Sequence, residues 1–253
     1  MKTYKTSEIA KSIGIHPNTV RLYEKLELIP TPKRKANGYR IFTDFHIEQI
    51  KLTRTALQVE VLQNGLRKQV IAIIKTSASG NFNKAIELTK CYLQQIKNEI
   101  RNAEEAIEIT EQLFSDTKQG IGTICLTRKE TADYLQISMD ALRNWEMNGL
   151  LTIKRKQNGY RVYTDEDIKR LKIIRSLRLA NYSLSAILRM LCTLSQNPDA
   201  DIRQIIDTPQ KNDTIISVCD RLLTSLHYAE KNAITMLGHL ENMNKQFTLN
   251  PPL

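Results

Sequence analysis

Apolar side chains recur at steps of three and four in two long stretches of this 253-residue chain. Ile86, Thr89, Leu93, Ile96, Ile100, Ala103, Ile107, Thr110 and Phe114 form the first seam; Ile215, Cys219, Leu222, Leu226, Ala229, Ala233, Met236, Leu240 and Met243 form the second. Each seam predicts a long amphipathic helix that needs a partner to cover its stripe. Shorter helical patterns precede each one. Ile9, Ala10 and Ile13 mark one face of a helix over Thr6–Ile13, and Gly14 stops it. His16-Pro17-Asn18-Thr19 then opens a second helix, with Val20, Tyr23 and Leu26 as its inner face. Further on, Thr127 and Glu130 are spaced as a capping box, and Ser138 is placed to cap the helix after it. Thr43-Asp44 and Thr164-Asp165-Glu166-Asp167 supply cap and first-turn acids for helices from Ile47 to about Leu57 and from Ile168 to about Leu179. Leu184–Leu191 marks a fourth helix, clearest in the second half.

Between these helices a polar pattern occurs twice. Lys33-Arg34-Lys35-Ala36-Asn37-Gly38-Tyr39-Arg40-Ile41-Phe42-Thr43-Asp44 returns as Lys154-Arg155-Lys156-Gln157-Asn158-Gly159-Tyr160-Arg161-Val162-Tyr163-Thr164-Asp165, identical at nine of twelve positions. Three cations, an Asn-Gly turn and an alternating aromatic, cationic and β-branched run predict a hairpin with a positive tip. The repeat extends outward: Glu8, Arg21, Tyr23, Glu24 and Leu28 match Glu130, Arg143, Trp145, Glu146 and Leu150 at an offset of 122 residues. From Lys33 onward the offset is 121, so one residue is lost from the loop ahead of the second hairpin.

Two short helices, a tight turn and a basic hairpin make a winged helix-turn-helix. The expected fold is mainly α, with two winged helix-turn-helix domains each followed by a long coiled-coil helix. The boundaries read as a first winged unit over 1–82, its long helix over 83–115, a linker over 116–124, a second winged unit over 125–195, a connecting segment over 196–212 and the second long helix over 213–247.

Charge follows the same division. The formal net charge is +10, and residues 1–82 and 124–192 carry +8 and +6 of it while 83–123 and 193–253 carry −2 each. Two basic blocks on a mildly acidic frame predict two contacts with a long polyanion such as double-stranded DNA. No apolar run approaches a membrane span, and the amino-terminal residues lack the apolar core of a signal peptide, so a cytoplasmic protein is expected. Four scattered cysteines, Cys91, Cys125, Cys192 and Cys219, fit reduced thiols with buried roles rather than a disulfide framework or a metal site. His227 and His239 read as surface residues. With no nucleophile–base pair, carboxylate pair or glycine-rich phosphate loop, no enzyme, metal or cofactor is expected.

The chain resembles the MerR family of bacterial transcriptional regulators, whose pattern is an Arg-x-Tyr-Glu helix, a Gly-Leu-Leu-type exit, an Asn-Gly-Tyr-Arg-x-Tyr wing and a long antiparallel dimerisation helix. Arg21-Leu22-Tyr23-Glu24, Leu28-Ile29-Pro30 and Asn37-Gly38-Tyr39-Arg40-Ile41-Phe42 meet it once; Arg143-Asn144-Trp145-Glu146, Gly149-Leu150-Leu151 and Asn158-Gly159-Tyr160-Arg161-Val162-Tyr163 meet it again. Glu27 stands where the family has glycine, and the short stretches after the two long helices leave no room for a ligand domain. The resemblance implies binding at a promoter with an overlong spacer and distortion of the duplex, so that RNA polymerase is reached indirectly.

Candidate DNA contacts divide by position. Lys33, Arg34 and Lys35, with Lys154, Arg155 and Lys156, are placed to neutralise phosphates. His16, Asn18, Thr19 and Arg21 lie on the first turns of one recognition helix, and Met139, Asp140, Arg143 and Asn144 on the other, so two unlike half-sites are expected. By resemblance Arg40 and Arg161 grip the backbone or minor-groove edge and Tyr23 and Trp145 contact phosphate, with a core role as the alternative for these two. Tyr39 and Tyr160 hydrogen-bond phosphate or pack the wing on the body; Asn37 and Asn158 complete the wing tips. The long helices pair within the chain as a pseudo-dimer on an imperfect palindrome, or between two chains of a homodimer. Other readings are an architectural or excisionase-like DNA-bending protein and a small-molecule sensor with a pocket at the coiled coil.

Overall fold

A computed structural model describes residues 2–58, 65–115, 125–153, 159–208 and 221–247. They fall into two compact units, one of residues 1–98 with 225–253 and one of residues 99–224. Helices dominate both, as the mainly α reading expects.

In the first unit β1 (Thr3–Tyr4) leads into α1 (Thr6–Ile13) and α2 (Pro17–Lys25), and the wing is β2 (Lys33–Arg34) with β3 (Arg40–Thr43). The helix ends follow local chemistry. Gly14 adopts the left-handed conformation at the end of α1, and His16 Nδ1 accepts from the Asn18 amide to cap α2, with Pro17 in the first turn. α3 (Asp44–Leu57) starts earlier than Ile47 because Thr43 and His46 form its capping box. α4 (Leu66–Ala78) and α5 (Phe82–Ser115) follow. Ile9, Ala10, Val20, Ile29, Phe42 and Ile50 form the centre of the unit, with Tyr23 packed against it. Leu26, expected on the inner face of α2, is 47% exposed instead, because α2 ends at Lys25 and Leu28 and Ile29 take the buried positions. Gln49 stitches this layer together: its amide donates to Leu28 O at 3.0 Å and Ile74 O at 2.9 Å, and it accepts from Ser77 at 2.8 Å.

The second unit repeats the plan with β4 (Cys125–Leu126), α6 (Arg128–Leu135), α7 (Met139–Met147), β5 (Tyr163–Thr164), α8 (Asp165–Leu179) and α9 (Leu184–Gln196). The Thr127–Glu130 capping box and the Ser138 cap form as the sequence predicts. At the position of Gln49, Arg170 donates through Nε to Leu150 O at 2.7 Å, so a different side chain anchors the same backbone carbonyl. α10 (Ile202–Asp207) lies within the segment read as a connection, and Asp207 accepts from the amides of Leu223 and Thr224 at the head of α11 (Leu222–Phe247).

α5 begins in the first unit and ends in the second, whereas α11 begins in the second and ends in the first. The buried stripe of α11 is Leu222, Leu226, Ala229, Ala233, Met236, Leu240 and Met243, as the heptad pattern predicts. Ile215 and Cys219 lie outside the described residues. In α5 the stripe is phased differently at its start: Phe82, Ala85, Thr89, Tyr92 and Ile96 are buried, and Ile86 and Leu93 are only half-buried. Steps of three and four starting from Phe82 fit the partners better, because Phe82 joins a ring cluster with Phe45 and Phe247.

Cys91, Cys125 and Cys192 are exposed, against the expectation of burial. Cys91 sits on the outer side of α5 beside buried Tyr92, Cys125 lies in a two-residue strand, and Cys192 faces out from α9 while Met190, Leu191 and Leu194 face in. His239 is half-buried, not a surface residue, with Nε2 2.7 Å from Glu48 Oε2. His227 is exposed. Among the described residues no helix is long and apolar enough to cross a membrane.

Candidate nucleic-acid interface

The first wing is built by its turn. Lys33 pairs with Ile41 and Arg34 with Arg40, so the chain must reverse over Lys35–Tyr39. Gly38 takes φ +80°, and Asn37 Oδ1 accepts from the Tyr39 amide at 3.3 Å. Asn37 therefore serves the turn itself. Lys33, Arg34, Lys35 and Tyr39 are left exposed around it. A strand the sequence did not announce braces the wing: β1 pairs with β3, Thr3 with Thr43 and Tyr4 with Phe42, and Tyr4 Oη donates to Asp44 at 2.8 Å.

Recognition helix and wing meet at a carboxylate. Arg40 Nε donates to Glu24 Oε2 at 2.6 Å, and Arg34 lies 3.6 Å from Glu24 Oε1. In the second unit Arg161 Nε lies 2.9 Å and Arg128 2.6 Å from Glu146 Oε2, and Tyr163 donates to the other oxygen of Glu146. Burial, then the Glu146 carboxylate, pushes the Tyr163 phenol up to about 12. The two wing arginines, read as grips on DNA, are thus half-buried and engaged within the protein. Glu24, Glu146 and Arg128 were not among the candidate residues, although Glu24 and Glu146 recur at the repeat offset and that recurrence was their signal.

The recognition helices present different edges. His16, Asn18 and Arg21 are exposed and Thr19 and Tyr23 half-buried; burial raises the Tyr23 pKa. Arg21 donates to Asn18 Oδ1 at 2.9 Å. In α7, Met139, Asp140, Arg143 and Asn144 are exposed, whereas Trp145 is 6% exposed and belongs to the core with Leu142. Trp145 thus takes the core position that is the alternative reading for it. Tyr39 and Tyr160 are each 70% exposed. Gly159 takes φ +79°, and Lys154, Arg155, Lys156 and Asn158 lie outside the described residues.

Residues 5–42 match the MerR family regulatory protein description, and residues 126–193 match the MerR HTH family regulatory protein description. Among curated relatives, YyaN of Bacillus subtilis, an uncharacterized HTH-type transcriptional regulator, is 29% identical over 120 residues, covering 44% of this chain and 87% of the relative. The HTH-type transcriptional regulator CueR of Yersinia pestis is 43% identical over 53 residues, which span 21% of this chain and only 38% of the relative. The mercuric resistance operon regulatory protein of Bacillus cereus is 22% identical over 116 residues, 46% of this chain and 83% of the relative. No solved structure matches the chain significantly. Two separate segments of the chain, one in each unit, are thus similar to MerR-family helix-turn-helix regulatory proteins.

Proposed function

We propose that the protein regulates transcription as a single-chain pseudo-dimer, placing its two recognition helices on two unlike half-sites of one promoter and distorting the duplex between them, so that RNA polymerase responds without direct contact. The observation that carries this reading is where α11 ends. Within the first unit Phe247 packs on Phe45 at 5.2 Å between ring centroids, His239 meets Glu48, and Asn244 donates to Asn83 at 2.9 Å. The apolar stripes of both long helices are buried by the chain's own residues, which removes the main reason for a second chain to cover them. The exposed Lys33, Lys35 and Tyr39 of the wing and the polar edges of α2 and α7 support the DNA-binding half of the reading.

Light scattering at working concentration tests the assembly. A mass near the 29.1 kDa of one chain is expected, and a mass near twice that value overturns the pseudo-dimer. Footprinting of wild type beside Arg40→Ala and Arg161→Ala tests the wings: loss of protection in either variant is expected, and full protection in both at moderate salt overturns their assignment.

A second reading, effector sensing, rests on a cavity of ≈ 400 Å³ in the second unit. Leu113, Phe114, Ile173 and Leu191 line it together with Glu166 and Arg170, and its size suits a drug-sized molecule. A thermal-shift screen of small amphiphiles tests it; no stabilising compound in a broad panel would count against sensing at this site.

A further inference from the structure

We infer that the two recognition helices read opposite hydrogen-bonding polarity in the major groove: α2 presents mainly donors, and α7 presents the Asp140 carboxylate to an exocyclic base amine. The inference rests on the DNA-binding reading above and names the base chemistry of each half-site.

The first helix presents mainly donors because two of its acceptors, His16 Nδ1 and Asn18 Oδ1, already take an internal hydrogen bond. His16 Nδ1 accepts from the Asn18 amide at 3.2 Å, which leaves the proton of the neutral ring on outward Nε2. Asn18 Oδ1 accepts from Arg21 at 2.9 Å, which occupies one of its two lone pairs and leaves both side-chain amide hydrogens of Asn18 available. The remaining guanidinium hydrogens of Arg21 are donors as well. An edge made mainly of donors matches guanine, which offers O6 and N7, and finds no complement in the N4 amine of cytosine.

The second helix breaks this pattern at the equivalent positions. Ser138 replaces His16 as the cap, its hydroxyl accepting from the Ala141 amide at 3.0 Å. Asp140 replaces Asn18, and its exposed carboxylate can only accept. The Asp140 and Arg143 side chains have no hydrogen-bond or ion-pair partner among the described residues, so the contact that joins Asn18 to Arg21 has no counterpart here. With Ser138 already capping α7, Asp140 is not required for that task. A carboxylate at the groove repels guanine O6 and thymine O4 and accepts from cytosine N4 or adenine N6.

Selection from DNA with both half-sites randomised, using the full chain and its Asp140→Asn variant, tests this. Wild type should enrich an asymmetric site in which one half carries an invariant cytosine or adenine facing Asp140 and the other carries guanine. Replacing that cytosine or adenine by guanine should weaken wild-type binding roughly ten-fold or more. Asp140→Asn, whose amide both donates and accepts, should lose that discrimination at this one position and leave the other half-site unchanged. Enrichment of a symmetric site, or an unchanged base preference in Asp140→Asn, overturns the inference while DNA binding itself stands. A chain that enriches no sequence overturns the DNA-binding reading and this inference together. Asn18→Asp supplies the reciprocal check, since it should introduce a preference for an exocyclic amine in the first half-site.

Discussion

Arg40 Nε donates to Glu24 Oε2 at 2.6 Å, joining wing to recognition helix across sixteen residues of chain. The Glu24 side chain is 13% exposed and that of Arg40 26%, so the pair is charge-assisted and partly out of water. A double-mutant cycle with Glu24→Gln and Arg40→Met should give a coupling energy of about 1 to 2 kcal/mol in urea denaturation. Additive single effects would mean that the two side chains touch without stabilising one another. Because Glu146 has three partners where Glu24 has two, Glu146→Gln should cost more than Glu24→Gln.

The repeat has exchanged its glycines. Gly14 and Gly149 take φ +71° and +76°, and their counterparts Gln136 and Glu27 hold the same left-handed region at +51° and +58°. A side chain there is strained, so Gln136→Gly should raise stability by about 0.5 to 1 kcal/mol. Glu27→Gly should gain less, because it also removes the exposed 2.9 Å ion pair with Lys75. Thermal midpoints of the two variants read this directly. A fall in both would show that these helix ends need their side chains more than the relief of strain.

His46 gives stability a pH dependence. Its Nδ1 accepts from the Thr43 amide at 3.1 Å, and burial pushes its pKa down to about 4. The folded state therefore holds the ring neutral, while the unfolded chain binds a proton more tightly. The contribution is complete above pH 6.5 and fades as pH falls toward 4, amounting to on the order of 3 kcal/mol. Urea midpoints of wild type should drop faster between pH 7 and pH 4.5 than those of His46→Gln, which keeps a capping side chain but cannot titrate. Parallel curves would remove His46 from the explanation.

Gln49 is buried with all its polar atoms engaged, and Arg170 does the equivalent work at a half-buried position. Gln49→Met should destabilise by about 2 kcal/mol or more, because carbonyl and hydroxyl groups lose their partner out of reach of water. Arg170→Met should cost less, since water reaches that site. Equilibrium denaturation of both variants compares them, and the reverse order would contradict the burial argument.

Among the described residues, Lys33 and Lys35 of the first wing have no carboxylate partner, whereas Arg34 is near Glu24. If each neutralises one phosphate, the double change to Ala should lower the slope of log affinity against log salt by about 2. Fluorescence anisotropy across a salt series measures it; an unchanged slope would take these lysines off the DNA.

Short-range order was legible in the sequence. Helix faces, caps and the Asn-Gly turn depend on residues three or four apart, so Thr127 with Glu130, Thr43 ahead of α3 and Gly38 in the wing could be read directly. Duplication added evidence that no single copy carries, and it pointed to the two helix-turn-helix segments that match family models. What the tertiary structure decided concerns partners distant in sequence. The phase of the α5 stripe depended on Phe45 and Phe247, which turned Phe82 inward and left Cys91 outside. β1 needed β3 to become a strand at all, since two residues carry no usable pattern. Arg40 and Arg161 read as free cations until Glu24 and Glu146 were placed beside them, because the charge a side chain presents depends on what folding brings within hydrogen-bond reach. The sequence alone therefore determined which two segments repeat one helix-turn-helix plan, and the tertiary structure decided which side chains they still present to solvent.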